Sequence, residues 1–199
     1  MKKLIQIIFL IVLMQESILS QWFQQISGTT SNLYGVTFVD ENNGWVVGDS
    51  GTVLHTTNSG SNWISQESGT IRALHKVSFT DLYHGTAVGD SGEIIRSTNG
   101  GMSWNQQITG TNANLYSVSF IDENIGWAVG AEYSNNNITG IILHTENGGT
   151  LWTQQLLADQ QYLYGVSFVN ANTGWAVGGL YGTNIILKTT NGGDTWGTK

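Results

Sequence analysis

One pattern, written four times, constrains this chain more than any other feature. Its first part reads LYGVTFVD (33–40), LHKVSFTD (74–81), LYSVSFID (115–122) and LYGVSFVN (163–170). A second part follows as GWVVG (44–48), GTAVG (85–89), GWAVG (126–130) and GWAVG (174–178). A third ends in TTNSGSNW (56–63), STNGGMSW (97–104), TENGGTLW (145–152) and TTNGGDTW (189–196). The closing tryptophan opens a fourth part, WISQES, WNQQIT or WTQQLL, and one further copy of it, WFQQIS (22–27), precedes the first repeat. Trp22, Trp63, Trp104, Trp152 and Trp196 are thus spaced by 41, 41, 48 and 44 residues. A period in the low forties with four short β-type segments specifies one four-stranded sheet per repeat, the pattern of a β-propeller blade.

The local chemistry agrees with strands. Tyr34, Val36 and Phe38 alternate with Leu33, Gly35, Thr37 and Val39. Both sides are largely apolar, as in a strand enclosed by neighbours on two faces. Asn and Gly in the third part tolerate the positive φ of a tight hairpin, a Ser or Thr hydroxyl can bond within it, and the closing tryptophan can cover it. The expected fold is all-β, with four-stranded antiparallel blades at 33–73, 74–114, 115–162 and 163–199 inside a domain spanning 21–199. Four repeats leave two architectures open. One is a partial propeller. The other is a closed four-bladed ring, in which residues 22–27 pair beside residues 185–190 as the outer strand of the last blade. Unpaired strand edges invite pairing, so an open form is expected to self-associate through them. The tryptophans of the second part, Trp45, Trp127 and Trp175, join the closing ones as structural residues. Thr86 fills their place in the second repeat, which is expected to be the least stable blade.

The third part resembles the Asp-box, or BNR, repeat, Ser/Thr-x-Asp-x-Gly-x-Thr-Trp. Asn58, Asn99, Asn147 and Asn191 stand in place of its Asp. Asn keeps the turn and loses the charge, so the box reads as structural and not as a metal site. The longer pattern, GWAVG followed by a short turn and a strand ending in TTNGGxTW, is similar to the photosystem II stability and assembly factor family. That resemblance implies a propeller that binds partner proteins and catalyses no known reaction. Its members usually have seven blades, whereas four repeats are present here.

Lys2 and Lys3, the apolar run Leu4–Leu13 and the small residues of Ser17–Ser20 read as a secretory signal over residues 1–20. The run is short for a membrane span, which needs about 20 apolar residues. Without that segment five basic residues face thirteen acidic ones, a net charge of −8. Such a surface excludes nucleic-acid and anionic-lipid binding, which need clustered Lys and Arg. The absence of cysteine excludes disulfides, thiol nucleophiles and zinc–thiolate sites.

Motifs suggestive of catalysis have simpler readings. GDSG occurs twice (48–51 and 89–92), at the same point of two repeats, whereas a serine nucleophile needs one serine with a His base and an Asp in fixed geometry. Sialidase-like Asp-box propellers resemble one another in using three arginines to hold a sugar carboxylate, and only Arg72 and Arg96 exist here. Paired carboxylates could hydrolyse glycans if they flanked the scissile bond at about 5–10 Å. Asp40-Glu41, Asp81 and Asp122-Glu123 recur at the turn after the first strand in three of the four repeats, which points to turn formation. No cofactor or metal is expected.

Two repeats carry longer loops. The loop at Ala131–Gly140 is seven residues longer than its counterparts, and the one after Gly178 is three longer. Insertions in repeat proteins gather on one binding face. That face would collect Arg72, Glu132, Tyr133, Asp159, Tyr162 and Tyr181. The expected function is a non-catalytic binding or scaffold propeller that is secreted, periplasmic or at the cell surface, with a protein or glycan partner. The alternatives are a glycoside hydrolase-type propeller and a structural segment of a larger surface protein.

Overall fold

The computed structural model describes residues 23–180 and 182–198. The expected signal segment 1–20, Trp22 and Tyr181 lie outside the described residues. Four antiparallel sheets of four strands follow one another along the chain. The first holds β1 (Leu33–Phe38), β2 (Gly44–Gly48), β3 (Val53–Thr56) and β4 (Ile64–Gln66). The second holds β5 (Leu74–Phe79), β6 (Gly85–Gly89), β7 (Ile94–Ser97) and β8 (Asn105–Gln106). The third holds β9 (Asn114–Phe120), β10 (Gly126–Ser134), β11 (Asn137–Thr145) and β12 (Thr153–Asp159). The fourth holds β13 (Tyr162–Phe168), β14 (Gly174–Leu180), β15 (Thr183–Thr189) and β16 (Gly197–Thr198). Each sheet is a simple meander, and the first strands β1, β5, β9 and β13 pack against one another in sequence along the inner edge. The chain is an all-β propeller of four blades.

No sheet of this size encloses a core of its own, so the apolar side chains are buried between sheets. Three hydrophobic clusters form, one at each joint between consecutive blades. A stack of rings marks the first and third joints. Phe79 lies flat on Trp45 of the preceding blade (centroids 3.6 Å, 7°), and His55 covers the other side of that indole (4.5 Å). Phe168, Trp127 and His144 repeat the arrangement, with Phe168 on Trp127 at 3.4 Å and His144 on it at 4.7 Å. The indole N–H of Trp45 donates to Gly100 O (3.1 Å) and that of Trp127 to Gly192 O (3.0 Å), each on the following blade. At the middle joint Thr86 leaves no indole, and Arg96 takes its place. Its guanidinium sits 4.9 Å above Phe120 and donates to Thr86 Oγ1 (2.7 Å) and to Glu123 O. The expectation of a weakened second blade overlooked this buried substitute.

The four box turns share one hydrogen-bond scheme. In the first, Thr56 Oγ1 accepts from Gly60 N (2.9 Å), and Asn58 Oδ1 accepts from Asn62 N (2.9 Å). Asn99, Asn147 and Asn191 act alike toward Ser103, Leu151 and Thr195. The amide oxygen of each Asn is thus occupied inside its turn, which needs no charge. The closing rings Trp63, Trp104, Trp152 and Trp196 stand edge-on to Phe38, Phe79, Phe120 and Phe168 of their own blades.

Of the two architectures, the blades form the open one. β16 pairs with β15 through Leu187↔Thr198 and Lys188↔Gly197, so the fourth sheet has its outer strand from its own repeat. Residues 23–27 form no strand beside 185–190. They lie instead against the first blade, where Gln25 donates to Ser59 O (3.1 Å) and accepts from Trp63 Nε1 (3.2 Å). The two inserted segments also differ from expectation. They extend the hairpins β10–β11 and β14–β15, with Ala131↔Gly140 through Ser134↔Asn137 in register. The longer hairpin turns at Asn135 and Asn136, both at positive φ, as a two-residue turn demands.

Trp127→Ala should lower stability by about 3–5 kcal/mol, read from the denaturant midpoint, because it removes a fully buried ring from a joint. His55 and His144 give a second test. Burial holds both below the ordinary 6.5, and their Nε2 atoms are buried without a partner among the described residues. The unfolded chain therefore binds these protons more readily. Their contribution is complete above pH 6.5 and is lost as pH falls below it. Melting temperatures measured between pH 7.5 and 5 should fall, and His55→Gln with His144→Gln should flatten that slope.

Candidate functional site

Each first strand carries one extra residue against its partner. The register slips between Leu33 and Gly35, between Leu74 and Lys76, opposite Val129/Gly130 and between Leu163 and Gly165. The bulged residues are Tyr34, His75, Tyr116 and Tyr164. A bulge leaves its residue out of the ladder and re-aims the side chain. Because the first strands are innermost and adjacent, the four rings form a continuous row across the inner edge. Successive centroids lie 5.6, 5.6 and 5.5 Å apart, with the rings tilted by 42–47°. Tyr162 extends the row, stacked on Tyr164 at 5.6 Å. The sequence reading assigned Tyr34 to simple alternation with Val36 and Phe38. The bulge breaks that alternation, and a large ring recurring before Gly, Lys or Ser is the signal that could have exposed it.

The duplicated GDSG segments support this row. Asp49 accepts from Tyr34 Oη (2.8 Å) and Asn32 Nδ2 (2.8 Å). Asp90 lies 2.7 Å from His75 Nε2. The bond to Asp49 raises the Tyr34 pKa, and burial raises that of Tyr116, so both phenols stay protonated as donors. Ser50 and Ser91 occupy the left-handed region at φ 55 inside short 3-10 turns. Neither hydroxyl meets a histidine among the described hydrogen bonds, so the geometry of a serine nucleophile is not assembled there.

At the end of the row a cavity of about 210 Å³ opens between blades three and four. Asn112, Asn114, Tyr116, Glu132, Tyr133 and Tyr162 line it. Three residues expected on the binding face, Glu132, Tyr133 and Tyr162, therefore meet there. Arg72 lies elsewhere, in the connector from blade one to blade two, where it pairs with the buried Glu93 of blade two (3.2 Å) and donates to Ser91 O (3.4 Å). The backbone of Asp159 pairs with Thr139 on the extended hairpin, and its side chain lies outside the described residues. So does Tyr181.

A larger recess of about 530 Å³ lies at the box-turn side, between blades two and three. It includes His84, Arg96 and Glu123. Asp81, His84 and Glu123 bring ligand-type atoms within 4.8 Å of one another. His84 Nδ1 is already bonded to Asp81 at 2.8 Å, and the buried Arg96 guanidinium adds positive charge beside Glu123. That arrangement opposes a cation. The repeated carboxylates serve turns, as expected. Asp40 Oδ1 accepts from the amides of Asn42 and Asn43, Asp81 from Tyr83 and His84, and Asp122 from Asn124 and Ile125. Asn170 Oδ1 does the same for Asn172 and Thr173 without a charge.

A family model described as photosynthesis system II assembly factor YCF48 matches residues 65–160. No curated protein matches the sequence. A solved structure of YCF48 bound to D1 peptide is 16% identical with a TM-score of 0.58, covering 89% of this chain and 84% of that one. The GH74 enzyme of Niastella koreensis is 14% identical with a TM-score of 0.67, covering 92% of this chain and 33% of that one. The GH74 xyloglucanase of Xanthomonas campestris is 9% identical with a TM-score of 0.60, covering 78% and 28%. This chain thus spans about a third of the two enzymes. At such identities the structural likeness is one of fold; together with the matching family model it supports a BNR-repeat propeller resembling the photosystem II assembly factor.

Asp122→Asn should leave the denaturant midpoint within about 0.5 kcal/mol of the parent, because Asn170 already fills the same role. Asp122→Ala, which leaves two amides without their acceptor, should cost about 1 kcal/mol.

Proposed function

We propose that this chain is a non-catalytic binding propeller that holds a polypeptide segment along its inner aromatic row. The row itself carries the reading. Tyr34, Tyr133 and Tyr164 are at least half exposed, and Tyr116 and Tyr162 are partly so. Rings of this kind combine apolar area with a hydroxyl donor, the mixture enriched at protein interfaces. Asp49, Asp90 and Glu132 beside the row add acceptors and negative charge, which suits backbone amides and basic side chains. The YCF48 structure bound to D1 peptide supports a polypeptide as the class of ligand.

The site works outside the cytoplasm, a placement supported by the basic, apolar and small-residue succession of residues 1–20. The non-catalytic reading is supported by carboxylates that are tied into their own turns.

A displayed dodecapeptide library panned on the protein should yield enriched sequences. Tyr116→Ala with Tyr164→Ala should reduce their binding at least about tenfold while the melting temperature holds within a few degrees. Failure to enrich, or binding unchanged by both substitutions, would overturn the assignment. The likeness to GH74 enzymes makes hydrolysis the second reading. Incubation with xyloglucan should release no reducing sugar. Release that disappears in Asp81→Asn would establish an enzyme.

A further inference from the structure

The propeller ends on two unlike faces, and each holds what the other lacks. At an internal joint, the first strand of one blade packs on the second and third strands of the blade before it. Val77 and Val118 are 1% and 4% exposed there, and Phe79 and Phe168 are 8% exposed. The same positions on the first blade are Val36, 53% exposed, and Phe38, 45% exposed. The opposite end shows the converse. Val53, Ile94 and Ile142 are each fully buried by a following blade, whereas their equivalent Ile186 is 64% exposed. Val177 is exposed where Val47, Val88 and Val129 are buried. Trp175 repeats Trp45 and Trp127 and has Lys188 over it at 5.3 Å, as His55 and His144 cover their indoles. Among the described residues no phenylalanine lies on its other side.

We propose that copies of this chain join head to tail, Phe38 of one copy stacking on Trp175 of the copy before it. The internal joints supply the template. Trp175 Nε1 would donate to Ser59 O, as Trp45 and Trp127 donate to the equivalent Gly100 and Gly192 carbonyls. Each of those carbonyls takes a second bond from an outer-strand glutamine of the preceding blade, Gln66 and Gln155. Gln25 already makes that bond to Ser59 O within its own chain. Residues 23–27 thus hold the place of a preceding blade's outer strand, with no strand partner of their own. The two-residue β16 occupies the matching place on the partner and yields to them. Exposed Ser167 would accept from the first strand of the next copy, as Ser117 and Ser119 accept from Val166 N and Phe168 N. Tyr164 would then meet Tyr34 across the joint and continue the aromatic row. Two unlike faces make a heterologous contact, which closes a ring or grows a chain.

Sedimentation velocity of the full chain across a hundredfold range of concentration tests this. Wild type should form dimers or larger species. Phe38→Asp and Trp175→Asp should each weaken assembly at least about tenfold. Equal parts of the two variants retain one intact joint and should recover a dimer. Ile71→Ser, at an exposed apolar residue away from both faces, should change nothing. A wild-type monomer at every concentration would overturn the proposal. So would association that both variants retain, which would place it on another surface, such as the apolar N-terminal run. Variants that stay monomeric when mixed would overturn it as well.

Discussion

Everything in this fold depends on the contact between one blade and the next. A four-stranded meander is too thin to bury a side chain within itself, so folding free energy is gained only when a second sheet arrives. The molecule concentrates that gain in a stack. An indole on the second strand is covered on one side by a residue of its own third strand and on the other by the next blade's phenylalanine. The indole N–H is spent on the next blade's box turn, so the contact carries direction as well as area. Stability is then a sum over neighbours, as in other repeat proteins. Arg96 shows how strictly the stack is kept. Where Thr86 removes the indole, a guanidinium with the same planar reach fills the space, bonded to the residue that created it.

The aromatic row owes its existence to the one place where the strand ladder is broken. Inside a regular strand the ring at position 34, 75, 116 or 164 would lie between blades and add to packing. The bulge turns it toward the axis, at the cost of one paired residue per blade. Acceptors come from the neighbouring turns in two of the four repeats and from an extended hairpin in the third. The repeat machinery therefore supplies a scaffold with four equivalent positions, and substitution at those positions, His75 among tyrosines, makes the surface asymmetric.

The sequence revealed what repetition can reveal. The four strands per repeat, the turns of the box asparagines and those of the aspartates were legible, because four copies show which residue types a position tolerates. Asn170 among aspartates declares a turn without any coordinates. What one repeat does differently was less legible. The segments after Gly130 and Gly178 read as loops because Gly, Asn and Ser dominate them, yet pairing with the adjacent strands carries them on as hairpins. The bulge was invisible to an alternation argument, since Leu33-Tyr34 places two large residues together in either reading. Glu132 and Tyr133 were grouped from insertion length, while Tyr162 and Arg72 joined them as residues of the blade-to-blade connectors, and Arg72 is held instead by Glu93.

Repeat arrays usually finish in caps whose outer face is polar, because an interior face left in water is a liability. The open faces of the first and fourth blades differ from such caps. Val36 and Phe38 at one end, and Val177 and Ile186 at the other, are the residues an interior joint would use. The acidic residues Asp40, Asp49, Asp81, Asp90 and Asp122 sit instead in turns. Interior chemistry on both open faces is what the proposed head-to-tail contact between copies requires.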